Sequence, residues 1–152
     1  MNLQVLERII TDHPQFKFHE AGHFSWKPTE DTVTYCLNTP GAELLLLHEL
    51  AHAILGHLSA LSDVELLQLE SQAWKHVKTR LVPKYGLEFD EKLAVEHMDT
   101  YRDWLHKRSL CPKCDINGWQ TAKDHYKCPS CLATWRVNTA KLKRIRRTLT
   151  KK

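Results

Sequence analysis

Five consecutive residues, His48-Glu49-Leu50-Ala51-His52, form the pattern H-E-x-x-H. Two histidines four positions apart lie on one face of a helix, where both imidazoles can bind a single zinc ion. Glu49 lies beside them on the same helix, where its carboxylate can deprotonate a water held by that ion. The pattern therefore predicts a catalytic zinc site with His48 and His52 as ligands and Glu49 as the general base.

The segment around this motif, residues 43–55, is rich in helix formers and almost entirely apolar. Apart from Glu43 at its start, its polar residues are the three of the motif, which indicates a buried helix. Two histidines can also be ordinary core residues. Burying them with a glutamate and no bound ion would cost on the order of several kcal/mol, so the metal interpretation is favoured.

A catalytic zinc takes three protein ligands and leaves a fourth position for water, so a third ligand is needed. His57 is one candidate, but on a continued helix it would point about 140° away from His52. Gly56 is typical of a helix C-terminal cap, which predicts that the helix ends there. His57 is then expected to be a surface or cap-side residue.

Glu70 is the better candidate. Ser62-Asp63-Val64-Glu65 is a capping box that opens a second helix, and this helix is predicted to end at Pro83. Glu70 falls on a stripe predicted to face inward, where an unpaired carboxylate would be strongly destabilising but a zinc-bound one would not. The other members of the stripe are Leu66, Ala73 and Val77.

Residues 48–57, followed by Leu69-Glu70-Ser71-Gln72-Ala73, resemble the ImmA/IrrE group of gluzincin-type metallopeptidases, whose members commonly read H-E-L-G-H-x-L-L-G-H and then E-x-E-A. The resemblance covers roughly residues 16–85. It implies that His48, His52 and Glu70 bind zinc and that Glu49 is the general base. It also implies peptidase activity on a specific intracellular protein, such as a DNA-bound regulator. Gln72 and Trp74 depart from the pattern of the group.

A second metal site is predicted near the C-terminus. Cys111-Pro-Lys-Cys114 and Cys128-Pro-Ser-Cys131 are two C-x-x-C knuckles separated by thirteen residues. This spacing is typical of a four-cysteine zinc ribbon, in which an intervening hairpin brings both pairs of thiolates to one structural zinc ion. Two disulfides or a redox C-x-x-C are the alternatives, and neither a secretory signal nor a thioredoxin-like unit supports them.

Charge is unevenly distributed along the chain. The formal net charge is +4, yet no acidic residue follows Asp124. The basic tail, residues 138–152, is predicted either to contact nucleic acid, as an amphipathic basic helix, or to be a solvated segment. Its candidate nucleic-acid ligands are Lys141, Lys143, Arg144, Arg146 and Arg147. Three ribbon aromatics are expected either to stack on bases or to fill the ribbon core: Trp119, Tyr126 and Trp135.

The element pattern predicts an α+β fold. Three alternating segments, residues 16–19, 23–26 and 32–37, predict a small antiparallel sheet before the H-E-x-x-H helix, as in zincins. Three parts are predicted: a zincin-like domain (1–107), a zinc ribbon (108–137) and the basic tail (138–152). No segment is apolar enough for a membrane span, and reduced ribbon thiols indicate a cytoplasmic protein. Cys36 is expected to be a small core residue.

Two other functions fit the same residues. A SprT-like protease acting on DNA-bound proteins also joins H-E-x-x-H to a zinc ribbon, but that family usually takes its third ligand from a later histidine. A non-enzymatic adaptor would use the ribbon and tail to bind nucleic acid and the zincin-like part as a scaffold. Glu49 argues against the adaptor, because a scaffold needs no general base.

Overall fold

A computed structural model describes residues 1–139, 141 and 144–150 of the chain. The chain is α+β, as predicted, and within the described residues no helix has both the length and the apolar composition that crossing a membrane requires. The helices are α1 (Leu3–Asp12), α2 (Ala42–Ile54), α3 (Asp63–His76), a π-helical turn (Val77–Leu81), α4 (Val82–Tyr85) and α5 (Glu91–Ser109). The strands are β1 (Lys17–Glu20), β2 (Ser25–Lys27), β3 (Thr32–Tyr35), β4 (Trp119–Ala122), β5 (His125–Lys127), β6 (Thr134–Val137) and β7 (Arg147–Leu149).

The chain divides into two compact units. Unit 1 comprises Met1–Ser59 and Gln68–Val95, and unit 2 comprises Ala60–Leu67 and Glu96–Lys152. The division falls inside α3 and α5, whereas the boundary predicted from the sequence follows residue 107. The start of α3 groups with the ribbon because Asp63 accepts a hydrogen bond from the Tyr126 hydroxyl and its backbone N–H donates to the Gln120 side chain at 2.8 Å.

The sheet of unit 1 has the three predicted strands, but the predicted antiparallel arrangement is wrong for one of them. β3 is central, with β2 antiparallel on one edge and β1 parallel on the other. The turn after β2 pairs β2 with β3 directly, so β1 takes the remaining edge of β3. Alternation of apolar residues could not reveal this, because a strand buries the same face in either direction.

Helix α2 forms the centre of unit 1. Its side chains Leu46, Leu47, Leu50 and Ala51 are fully buried, and the helix packs against β2, β3 and the π-helical turn. A helix that is apolar on all sides must be covered on all sides, and α2 lies in such a buried position. The motif residues on α2 are therefore held within a rigid core.

The predicted helix boundaries are confirmed at two of three points. Ser62 Oγ accepts from the Glu65 N–H (3.1 Å), and Gly56 ends α2 at φ +66°. The third prediction, that Pro83 ends the second helix, is wrong. The π-helical turn intervenes after α3, and Pro83 lies in the first turn of α4, where no backbone N–H is required.

The sheet of unit 2 is antiparallel, in the order β4-β5-β6-β7. The predicted hairpin between the cysteine pairs is formed by β4 and β5. The tail contributes β7, so Arg147–Leu149 is a strand and the predicted basic helix is wrong for these residues. The edge of β6 offers unpaired backbone N–H and C=O groups, which β7 satisfies, and Trp135 pairs with Leu149 in that register. Leu142 and Lys143 lie outside the described residues.

Candidate metal centres

Helix α2 brings the two motif histidines together in unit 1. The Nε2 atoms of His48 and His52 lie 3.2 Å apart, one helical turn from each other. His48 is fully buried and His52 is 9% exposed. Two imidazole nitrogens at this separation, both withdrawn from water, require either a shared proton or a shared cation.

Glu70 on α3 completes the group. One carboxylate oxygen lies 3.0 Å from His48 Nε2, and the other lies 3.7 Å from His52 Nε2. The carboxylate side chain is only 5% exposed. Ala73 and Val77, which share its helix face, are fully buried, so the inward stripe that the sequence predicts is formed. The structure therefore brings the three predicted ligands of the first site to one place.

These separations match those of a tetrahedral zinc site. Bonds of about 2.0–2.1 Å at tetrahedral angles place neighbouring ligand atoms about 3.3–3.4 Å apart. The three observed separations, 3.0, 3.2 and 3.7 Å, lie on both sides of that value. The residues present thus fit a cation bound by two nitrogens and a carboxylate.

The electrostatics of Glu70 favour the ionised form that a ligand needs. Burial by itself raises the pKa of this carboxyl group. The hydrogen bonds and charges of His48 and His52 outweigh that effect and hold the pKa well below its ordinary value. A carboxylate in this position is negatively charged at neutral pH and ready to bind a cation.

His57 has a role that the sequence analysis missed. It is buried, and its Nδ1 lies 2.9 Å from Nδ1 of His52. Burial and the neighbouring His52 lower the pKa of His57, so the ring is neutral at neutral pH. If Nε2 of His52 binds a metal, the His52 proton resides on Nδ1 and is donated to His57. In such a site His57 would fix the orientation and tautomer of His52 without binding the metal.

The helix cap explains how His57 reaches this place. The Gly56 N–H donates to the Ala53 carbonyl (3.1 Å) and the His57 N–H donates to the His52 carbonyl (3.0 Å), which together are a Schellman motif. In that motif the residue two after the cap packs over the residue three before it, here His57 over His52. Gly56 can be read from the sequence, and the position of His57 over His52 follows from the Schellman motif that Gly56 forms.

The two departures from the ImmA/IrrE pattern differ in position. Trp74 is buried and stacks on His48, with 4.5 Å between ring centroids and 27° between ring planes. This contact restricts the rotation of the His48 ring. Gln72 is exposed, and its side chain forms a hydrogen bond with His57. Glu49, the predicted base, is half-buried next to His48 on α2.

The four ribbon cysteines of unit 2 form the second cluster, which could hold a metal ion. Their sulfur atoms lie 3.5 Å apart for Cys111 and Cys131, 3.5 Å for Cys114 and Cys128, and 3.7 Å for Cys114 and Cys131. A tetrahedron with Zn–S bonds of about 2.3 Å has edges of about 3.8 Å. A disulfide bond would be about 2.05 Å long, so the disulfide alternative does not describe this arrangement.

Four thiols this close cannot all ionise without a cation. Burial raises the pKa of Cys128, but the backbone N–H groups of Cys131 and Ser130 and the neighbouring thiols lower it to about 7. The Ile116 backbone lowers the pKa of Cys114, yet the other thiols raise it to about 12. One thiolate therefore suppresses the ionisation of its neighbours, and a divalent cation would remove that conflict.

The ribbon aromatics separate into two groups. Tyr126 and Trp135 stack on each other at 5.6 Å and are buried with Cys111, Cys128 and Val137 as the core of the ribbon. Trp119 on β4 is 47% exposed, with the Lys127 ammonium 5.9 Å from its ring centroid. Only Trp119 of the three is therefore open to a ligand. Cys36, expected in the core, is half-buried just after β3.

The predicted nucleic-acid ligands of the tail lie in unit 2, except Lys143, which is outside the described residues. Arg144 and Arg146 are exposed, and Lys141 and Arg147 are half-buried. Arg147 donates to the Leu110 carbonyl at 2.9 Å, which ties β7 to the end of α5.

No family model matches the chain, and comparison with curated proteins and with solved structures also finds no match. The geometry of the two clusters is therefore what bears on function.

Replacing Glu70 by glutamine should empty the first site. An amide oxygen carries no charge and binds zinc weakly, so metal content should fall from about two zinc ions per purified chain to about one. Glu88→Gln, an exposed change of the same kind in unit 1, is the control and should leave the content unchanged. Elemental analysis measures both, and an undiminished content in Glu70→Gln would remove Glu70 from the ligand set.

Replacing His57 by alanine should weaken metal binding at the first site about 10- to 100-fold without removing a ligand. Competition with a zinc chelator measures the affinity. His57→Asn should partly restore the affinity, because the side-chain carbonyl oxygen of asparagine can accept a hydrogen bond from His52. His19→Ala, on the exposed side of β1, serves as the control. An affinity in His57→Ala equal to that of the control would show that His57 does not orient His52.

Replacing Cys128 by serine should cost the ribbon its metal and its fold. The buried ribbon core is small, so metal binding supplies much of its stability. Zinc content should fall by about one ion per chain and the ribbon should become sensitive to protease, whereas Cys36→Ser should change neither. Protease resistance retained after chelation of the unmodified protein would contradict a metal-dependent ribbon.

Proposed function

We propose that this protein is a zinc metallopeptidase that hydrolyses peptide bonds of a specific intracellular protein. One observation carries the proposal: His48, His52 and Glu70 converge with separations of 3.0–3.7 Å in a buried place, with Glu49 adjacent on the same helix. Three ligands leave one position of a tetrahedron for a reactant, which is typical of catalytic rather than structural zinc.

Zinc is the metal that best fits both clusters. Two imidazoles with a carboxylate are a usual ligand set for hydrolytic zinc, and four thiolates are a usual set for structural zinc. The second site is closed, because all four positions are taken by sulfur. The ligand sets thus support one catalytic and one structural ion. Thiolate ligands persist in a reducing compartment, which favours the cytoplasm.

When bound, zinc would supply the Lewis acidity that lowers the pKa of a water molecule and polarises a peptide carbonyl. Glu49 accepts the proton of the attacking water as the C–O bond forms, and then delivers it to the amine nitrogen as the C–N bond breaks. Glu70 contributes negative charge that holds the cation. His57 and Trp74 restrain the rings of His52 and His48, so the ligands need little reorganisation during turnover.

The resemblance to ImmA/IrrE peptidases supports a narrow substrate, such as a DNA-bound regulator. The separation of 3.0 Å between Glu70 and His48 agrees with the third ligand that this resemblance implies, whereas a SprT-like site usually takes a later histidine. The adaptor alternative gains no support from the first site. An adaptor has no use for a buried carboxylate that joins two histidines or for a glutamate next to them.

Glu49→Gln should abolish hydrolysis while both zinc ions remain bound. Loss of a general base typically costs about 10²- to 10⁴-fold in rate. The assay uses a proteome-derived peptide library, so that no substrate has to be chosen in advance. Mass spectrometry identifies the new termini. The zinc-loaded protein should generate cleavages that Glu49→Gln does not.

Glu70→Gln is the companion variant in that assay, since it should lose activity together with the metal. Equal cleavage by Glu49→Gln and the unmodified protein, with zinc content equal, would rule out the proposed mechanism. Binding of library peptides without cleavage by either protein would favour the adaptor.

A further inference from the structure

Unit 2 contains a cavity that the peptidase proposal does not use. Its volume is about 610 Å³, and it lies between α5 and the C-terminal segment of the same unit. We refer to it as the basic groove. Its described lining residues are Thr100, Asp103, Trp104, Lys107, Leu110, Lys141, Arg144, Ile145 and Arg147.

The basic groove concentrates positive charge. Four of its described lining residues are cationic and one, Asp103, is anionic, which gives a formal charge of 4 − 1 = +3. Like charges gathered around one concave surface repel each other, and the walls of a cavity strengthen the field inside it. Such an arrangement attracts an anion.

Two of the cations are anchored by contacts within unit 2. Lys141 donates a hydrogen bond to Thr100 at 2.8 Å and lies over the ring of Tyr101. Arg147 donates to the Leu110 carbonyl at 2.9 Å and lies 3.9 Å from the Asp115 carboxylate. These contacts hold the cations in place and shape the groove.

The other two cations are uncommitted. Lys107 and Arg144 are exposed, and neither forms an ion pair with a carboxylate among the described residues. Asp103 is one turn before Lys107 on α5 but does not pair with it. Lys107 and Arg144 are therefore available to a ligand at the lowest cost in broken contacts.

An aromatic side chain completes the lining. Trp104 carries the Arg108 guanidinium 4.4 Å from its ring centroid. Its indole N–H is buried and has no acceptor among the described residues. A buried donor without an acceptor is uncommon in a native structure and often marks a missing ligand or water molecule.

We propose that the basic groove binds the phosphate backbone of single-stranded nucleic acid, with Lys107 and Arg144 as its principal phosphate contacts. Repeating phosphates match a row of cations, and arginine binds phosphate oxygens in pairs. Cations combined with an aromatic side chain in one groove are typical of sites for single strands, in which unpaired bases offer their faces. This inference does not depend on peptidase activity.

The charge pattern favours nucleic acid over an acidic peptide. Residues after Asp124 include no acid and nine bases, so the field of the C-terminal segment is uniformly positive. A uniform field suits a polymer with a charge on every unit, whereas a peptide with scattered carboxylates would gain less. Polyglutamate is nevertheless included as an arm of the test.

The experiment measures fluorescence anisotropy of a labelled thymidine oligonucleotide, about 12 nucleotides long, with the full zinc-loaded chain over a range of salt concentrations. The variant is Lys107→Gln/Arg144→Gln. The control is Lys75→Gln/Arg80→Gln, which removes the same charge from exposed positions in unit 1. Duplex DNA of equal length and polyglutamate are competitors.

The unmodified protein and the control should bind alike, and the groove variant should bind about tenfold or more weakly at about 50 mM salt. The slope of log affinity against log salt should become shallower by about 1.4, since each phosphate contact contributes about 0.7. Single strands should compete better than duplex or polyglutamate.

Equal binding by the groove variant and the control, or no binding by the unmodified protein at low salt, would overturn the proposal. So would competition by polyglutamate as effective as that by single strands. Glu49→Gln should bind the oligonucleotide as the unmodified protein does. The nucleic-acid test and the peptidase test can therefore fail independently of each other.

Discussion

The arrangement of unit 1 depends on a single electrostatic demand: a buried carboxylate and two buried imidazoles must share one positive partner. Each group alone would prefer water, and burying them together without a cation would be costly. The low pKa of Glu70 shows that the two rings already stabilise its charge, although their protons would have to leave before both nitrogens could bind a metal. The apolar surface of α2 keeps water away, which strengthens the competition between protons and a metal ion for the two nitrogens.

Several local features of the chain serve that convergence. The residues of α2 that surround the motif are buried, so the histidines cannot turn to solvent. Gly56 ends the helix and returns the chain so that His57 meets the far side of His52. Trp74 covers His48 from α3, one turn beyond Glu70. The two histidines are thus held by neighbouring side chains, as the ligands of preorganised metal sites usually are.

Unit 2 holds the second cluster that could bind a metal ion. Its four sulfur atoms lie near the corners of a tetrahedron, beside a very small core in which Tyr126 and Trp135 are the largest buried side chains. A metal ion bound there would have sulfur at all four positions, which leaves none for a reactant. The C-terminal segment adds a strand to this sheet, which converts part of a basic tail into an ordered wall of the groove. Charge that would be diffuse in a solvated tail is concentrated there.

The sequence alone determined the α+β class, the motif helix, the capping residues and the residues that gather in the two clusters. These depend on short-range spacing: three residues between the histidines, two between paired cysteines, and one helical face for Glu70. It did not determine that β1 runs parallel to β3, that Pro83 is accommodated after a π-helical turn, or that Arg147–Leu149 pairs with β6. It also left the contact of Trp74 with His48 and the gathering of Lys107 with Arg144 unseen. These depend on which segments meet across long stretches of chain, and only the tertiary structure decides that, because packing and strand pairing join residues whose spacing in the sequence carries no signal.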